Sequence, residues 1–91
     1  MDTESGLTQE ETDAAIDDLR VEIDAVDAAL IELVARRTEI SRQVGRLRMA
    51  SGGTRLSLSR EQAVVARFSK ALGETGTSLA MLLLRAGRGR L

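Results

Sequence analysis

The sequence predicts an all-α protein: one long helix followed by two shorter helices, with two copies of the chain intertwined as a homodimer. Three observations lead there. Proline is absent and 43% of the 91 residues are hydrophobic, so nothing in the chain breaks a helix outright. Aliphatic residues recur at alternating steps of three and four from Ile16 to Leu47, the spacing of a heptad seam. A helix carrying that seam, from about 10 to 50, would be roughly 60 Å long, far more than the ~25 Å width of a compact domain of this size. Its own chain cannot bury it, and a second copy is the simplest cover.

Residues 1–13 read as a flexible acidic N-terminus and residues 14–91 as a single domain. Thr8 and Glu11 have the spacing of a capping box, placing the first helix start near residue 9. Ile16, Leu19, Ile23, Val26, Leu30, Leu33, Ile40, Val44 and Leu47 form the seam. Residues 51–59, Ser51-Gly52-Gly53-Thr54-Arg55-Leu56-Ser57-Leu58-Ser59, read as a loop. Ser59 with Gln62 predicts the cap of a second helix over 59–72, with Gly73 as its C-terminal stop. Glu74-Thr75-Gly76 reads as a turn, and Thr77 or Ser78 as the cap of a third helix over 77–87. The run Leu79 to Leu84 is apolar on all sides, which predicts a buried helix. Gly87 and Gly89 weaken its end and leave Arg85, Arg88 and Arg90 as a loose basic tail.

Composition excludes much chemistry. There is no His and no Cys, so there is no catalytic triad, thiol nucleophile, disulfide or imidazole–thiolate metal site. No metal and no cofactor is expected. No apolar run nears the ~20 residues of a membrane span, and the acidic start MDTESGLTQEE is unlike a signal peptide. The expectation is a cytoplasmic protein without a membrane partner. The net charge of −1 hides a division: residues 1–34 hold eleven acids and one base, and residues 35–91 hold twelve bases and three acids. Twelve of the thirteen bases are Arg, whose planar fork suits carboxylate or phosphate. Nucleic acid is not the expected partner, because stacking aromatics are missing and the acidic half repels phosphate.

Arg37 occupies the one gap in the seam. Burying a lone charge there costs several kcal/mol, on the order of a buried unpaired ion, so an anion must meet it: an acid of the partner chain, or a ligand. Arg48 lies eleven residues on, on nearly the same helical face and about 16 Å away, a span that two long side chains can close on a small polyanion. Arg20, about 25 Å from Arg37, cannot reach that ligand from the same helix but could from the other copy; the alternative is an exposed ion pair with Asp24. Arg60 and Glu61 open the second helix, where the dipole favours an anion and where Glu61 could simply stabilise the first turn. With general acid–base and covalent catalysis short of players, electrostatic preorganisation around a bound polyanion remains. A pericyclic rearrangement of a dicarboxylate needs no more than that. Binding without chemistry, in a non-catalytic helical regulatory or interaction module, fits the same residues.

The seam, the segment Val44-Gly45-Arg46-Leu47-Arg48-Met49-Ala50-Ser51-Gly52-Gly53-Thr54-Arg55-Leu56, the triplet Ser59-Arg60-Glu61 and the ending Leu82-Leu83-Leu84-Arg85-Ala86-Gly87-Arg88-Gly89-Arg90-Leu91 resemble the all-α AroQ-type chorismate mutases, in particular their short actinobacterial subclass. The resemblance covers about residues 14–91. It implies conversion of chorismate to prephenate in Phe and Tyr biosynthesis. It also implies roles for named residues. Arg20 would bind a substrate carboxylate in the partner's site and Arg37 one in its own. Arg48 would stand near the ether oxygen of the breaking bond, and Arg60 near the ring end. Glu61 would accept a hydrogen bond from the ring hydroxyl, with Thr54 and Leu56 lining the pocket. Arg37, Arg48 and Glu61 would be the catalytic set. The sequence departs from efficient members at Ser57, where they carry Asp, and near the end of the last helix, where they carry a Gln and this chain has Gly87, Arg88 and Gly89. Each such contact is worth on the order of 2–4 kcal/mol, so low activity alone is expected. The subclass implies a partner that raises it, 3-deoxy-D-arabino-heptulosonate-7-phosphate (DAHP) synthase, and feedback control through that partner.

Overall fold

In the computed structural model, residues 6–54 and 57–89 are described. They form three α-helices and, among themselves, no strand: α1 (Gln9–Ala50), α2 (Leu58–Leu72) and α3 (Glu74–Arg88). The chain divides into two compact units within α1, Met1–Glu32 and Leu33–Leu91. The first unit is the N-terminal stretch of α1. The second holds the C-terminal stretch of α1 with α2 and α3.

In the first unit, α1 begins with a complete capping box. The Thr8 N–H donates to Glu11 Oε1 at 2.9 Å, and the Glu11 N–H donates to Thr8 Oγ1 at 3.0 Å. Two N–H groups that the helix cannot satisfy are thereby paired. This is the capping box that the spacing of Thr8 and Glu11 predicted. The Thr8 backbone N–H, and after it the Thr8 hydroxyl, hold the Glu11 carboxyl below its ordinary value of 4.5. Ile16, Leu19, Ile23, Val26 and Leu30 of the seam are exposed in the chain by itself. No ion pair joins Arg20 to Asp24 among the described residues.

The second unit is built on the α2–α3 hairpin. Val64, Ala80 and Leu83 are its buried apolar side chains. Gly73, at φ 65°, both ends α2 and precedes α3, so a single residue makes the turn. The expected turn at residues 74–76 is therefore helix. Gly76 reads as a breaker in sequence, yet it is buried in the first turns of α3. A Cβ there would collide with the Phe68 carbonyl oxygen and lie 2.9 Å from Leu72 Cβ, so glycine serves close packing, and α3 starts three residues early. Ser57, not Ser59, is the N-cap of α2, and it makes no side-chain cap bond. In the chain by itself Met81 and Leu82 are 52% and 57% exposed, because one helix and the end of another cannot surround a third.

The end of α1 is a Schellman motif. The Gly53 N–H donates to the Arg48 carbonyl at 2.8 Å and the Gly52 N–H to the Met49 carbonyl at 3.1 Å, with Gly52 at φ 87°. That is the paired 6→1 and 5→2 bonding of a glycine-terminated helix, and it sets Arg48 in the last turn. The end of α3 meets α1 closely. A Cβ on Gly87 would collide with the Ser41 side chain, and Arg42 Nε donates to the Ala86 carbonyl at 3.3 Å.

Two outcomes follow. Gly76→Ala forces a methyl against backbone that cannot yield, an overpacking cost of about 1–3 kcal/mol. It outweighs the ~1 kcal/mol helix-propensity gain, so the thermal midpoint by circular dichroism should fall by several degrees. The Glu11 cap is fully present above about pH 4.5 and is lost as pH falls through the lowered folded-state value. Amide exchange at Thr8 and Glu11, corrected for intrinsic rate, should accelerate below that point and be insensitive to pH between 6 and 8.

Candidate functional site

A cleft of about 1120 Å³ lies within the second unit. Its stretch of α1 supplies Arg37, Ser41, Arg42, Gly45, Arg46 and Arg48; α2 supplies Arg60, Glu61 and Val64; α3 supplies Leu84, Gly87 and Arg88. Ser57 lines it from the end of the loop.

Its electrostatics are lopsided. Among the described residues six arginines line the cleft (Arg37, Arg42, Arg46, Arg48, Arg60 and Arg88), against one carboxylate, Glu61. That carboxylate is already engaged: Arg88 Nη1 donates to both of its oxygens, at 3.2 and 3.3 Å. Arg37 is half-buried and has no hydrogen bond or ion pair among the described residues. The internal acid that would neutralise it is therefore not there. Arg48 is also half-buried, and Arg60 is exposed at the start of α2, where free N–H groups and the helix dipole add positive character. Glu61 sits in the first turn of α2 with its N–H bonded to the Ser57 carbonyl at 3.0 Å.

Of the residues singled out from sequence, the cleft brings together Arg37, Arg48, Ser57, Arg60 and Glu61. Thr54 is exposed and does not line it. Arg20 belongs to the first unit and is exposed. Leu56 lies outside the described residues. Arg42, Arg46 and Arg88 were not among the expected site residues. Arg42 and Arg46 had a legible signal, since two like charges four residues apart repel on a helix face and call for an anion. Arg88 was expected in a loose tail; it is instead the last residue of α3, 27 positions from the Glu61 it binds, a distance no local pattern spans.

The described residues contain no group of three or more His, Cys, Asp or Glu able to hold a metal ion. None of their helices is long and apolar enough to cross a membrane. What the cleft can do is bind an anion with several acidic groups and stabilise negative charge developing on it.

The chain matches the family model for chorismate mutase type II over residues 19–82. It is 62% identical over 76 residues to the intracellular chorismate mutase of Mycolicibacterium smegmatis, covering 84% of this chain and 73% of that protein. It is 59% identical over 76 residues to the intracellular chorismate mutase of Mycobacterium tuberculosis, covering 84% and 71%. Among solved structures it is similar to one of a non-covalent complex of DAHP synthase and chorismate mutase from Corynebacterium glutamicum with a bound transition-state analogue. The TM-score is 0.84 at 48% identity, covering 88% of this chain and 96% of that one.

Proposed function

The chain belongs to the type II chorismate mutases, and from that premise we propose that its arginine cleft binds chorismate and rearranges it to prephenate. The observation that carries the reading is Arg37: a half-buried guanidinium lining the cleft with no acid of the described chain paired to it. A substrate dicarboxylate supplies what is missing. The rearrangement breaks one C–O bond and forms one C–C bond within a single molecule, and no proton or electron leaves or enters. A site without His or Cys therefore lacks nothing the reaction requires.

In this reading Arg37 and Arg60 hold the substrate at its acidic groups. Arg48 faces the ether oxygen, where negative charge grows as the bond breaks, from a backbone position set by the Schellman motif, and its cation stabilises that charge. Glu61 accepts the ring hydroxyl and holds the conformer that can react. Ser57, half-buried at the mouth of α2, is a weaker hydroxyl anchor than a carboxylate.

Arg20 completes the site from a second copy. Seventeen large hydrophobic side chains are exposed on the chain by itself against three buried apolar ones among the described residues. Exposed apolar surface on that scale marks an interface. Pairing along the α1 seam would cover Ile16 to Leu47 and carry Arg20 to the other copy's cleft. The protein works in the cytoplasm, and DAHP synthase, the partner in the similar Corynebacterium glutamicum complex, raises its turnover by gripping the segments beside the cleft.

Incubation with chorismate, followed by loss of its diene absorbance, tests the reading directly; no loss by the chain with or without the synthase would end it in favour of a non-catalytic module. Arg37→Ala and Arg20→Ala homodimers should each lose about 10²–10³-fold in kcat/KM. Mixed, unfolded together and refolded, they should regain about a quarter of wild-type activity, because half of random pairs carry one intact site. No recovery would refute the cross-chain role of Arg20. With saturating DAHP synthase, kcat/KM of the wild-type chain should rise at least about tenfold; an unchanged value would show that the cleft is already complete in the free protein.

A further inference from the structure

We propose that Arg88 is a positioning residue for this reaction: it fixes the Glu61 carboxylate toward the substrate and keeps it from neutralising the arginines that bind the substrate. The proposal rests on the reading above, in which Glu61 accepts a hydroxyl of chorismate.

The geometry begins with competition. Glu61 is the lone carboxylate among six arginines in the described cleft lining, and a Glu side chain has three rotatable bonds. Left alone, it would be drawn toward the other arginines of the same lining. Pairing with Arg37 or Arg48 would remove the cation the substrate needs. Arg88 prevents this by contacting both oxygens from a single nitrogen, at 3.2 and 3.3 Å, with the two side chains only 26% and 20% exposed. A carboxylate has about four lone-pair positions. One donor nitrogen placed between the oxygens leaves others open to a substrate hydroxyl.

The position of Arg88 is itself held. Gly87 allows α3 to approach Ser41 closely, Arg42 Nε binds the Ala86 carbonyl, and Gly89 at φ 69° closes the helix immediately afterwards. The last turn of α3 is thus docked on α1, and the guanidinium it carries crosses to the first turn of α2. Three helices contribute to the orientation of one carboxylate. Arg88 acts through Glu61, and its removal should matter only while Glu61 can be misplaced.

That condition defines the test, a double-mutant cycle read by chorismate turnover. Arg88→Ala should lower kcat/KM about ten- to hundredfold in the wild-type background and by less than about twofold in the Glu61→Gln background, where no charge remains to orient. Arg88→Lys, which also offers one nitrogen to both oxygens, should restore part of the loss. Thermal midpoints by circular dichroism identify any variant that fails to fold. Equal losses in both backgrounds would show a merely structural role and overturn the proposal. So would activity within twofold of wild type for Arg88→Ala, or a gain in turnover, which would make the contact a lock on Glu61. Absence of turnover by the wild-type chain, with or without DAHP synthase, would overturn the functional reading and this proposal with it. Wild-type turnover untouched by Arg88→Ala overturns the proposal alone.

Discussion

Six guanidinium groups around one carboxylate make the cleft an unfinished electrostatic structure. Exposed cations are satisfied by water, and Arg42, Arg46 and Arg60 are exposed. Arg37, Arg48 and Arg88 are half-buried, and for them water is a poorer substitute. Arg88 has Glu61, and Arg37 has no acid among the described residues. A fold that holds such a set in place before any ligand arrives has already met the cost of bringing like charges together. An anion entering the cleft then meets cations already gathered on three helices, and the better those side chains are ordered the stronger their electrostatic stabilisation of it.

The helices hold that arrangement by ordinary means. Glycine does the local work at two points: Gly52 ends α1 so that Arg48 stands in its final turn, and Gly87 lets α3 come against Ser41. The hairpin core of Val64, Ala80 and Leu83 is small, and most of the aliphatic seam of α1 is uncovered in the chain by itself. Binding surface and stabilising surface are therefore the same problem. In the proposed reading, a second copy laid along the seam supplies both the apolar cover and Arg20.

Much of this was legible in the sequence, for a physical reason. Seam, capping box and helix ends follow rules that operate over three or four residues, and α1 was read to within one residue of its observed bounds, Gln9–Ala50. Arg37 stood out because a charge in an aliphatic register is a local contradiction. What was missed depends on contacts between helices. Gly76 looks like a breaker until the Phe68 carbonyl is seen where its Cβ would be. Arg88 looks like a tail until Glu61 is found beside it. Met81 and Leu82 are exposed in the chain by itself, and the apolar pattern does not say which neighbour covers them.

The composition then acquires a reason. A protein of 91 residues with no His, Cys, Trp, Tyr or Pro has given up most of the side chains that shuttle protons, attack carbon or bind metals. Reactions that need those groups are closed to it. A unimolecular rearrangement is open, because its barrier yields to geometry and charge, and arginine and glutamate on rigid helices supply both. The same economy exposes a weakness. When catalysis rests on the placement of a few long charged side chains, whatever orders their supports governs the rate. Here those supports are a glycine-ended helix, the start of α2 and the final turn of α3. A partner that grips them would need to touch no reacting atom to change the chemistry.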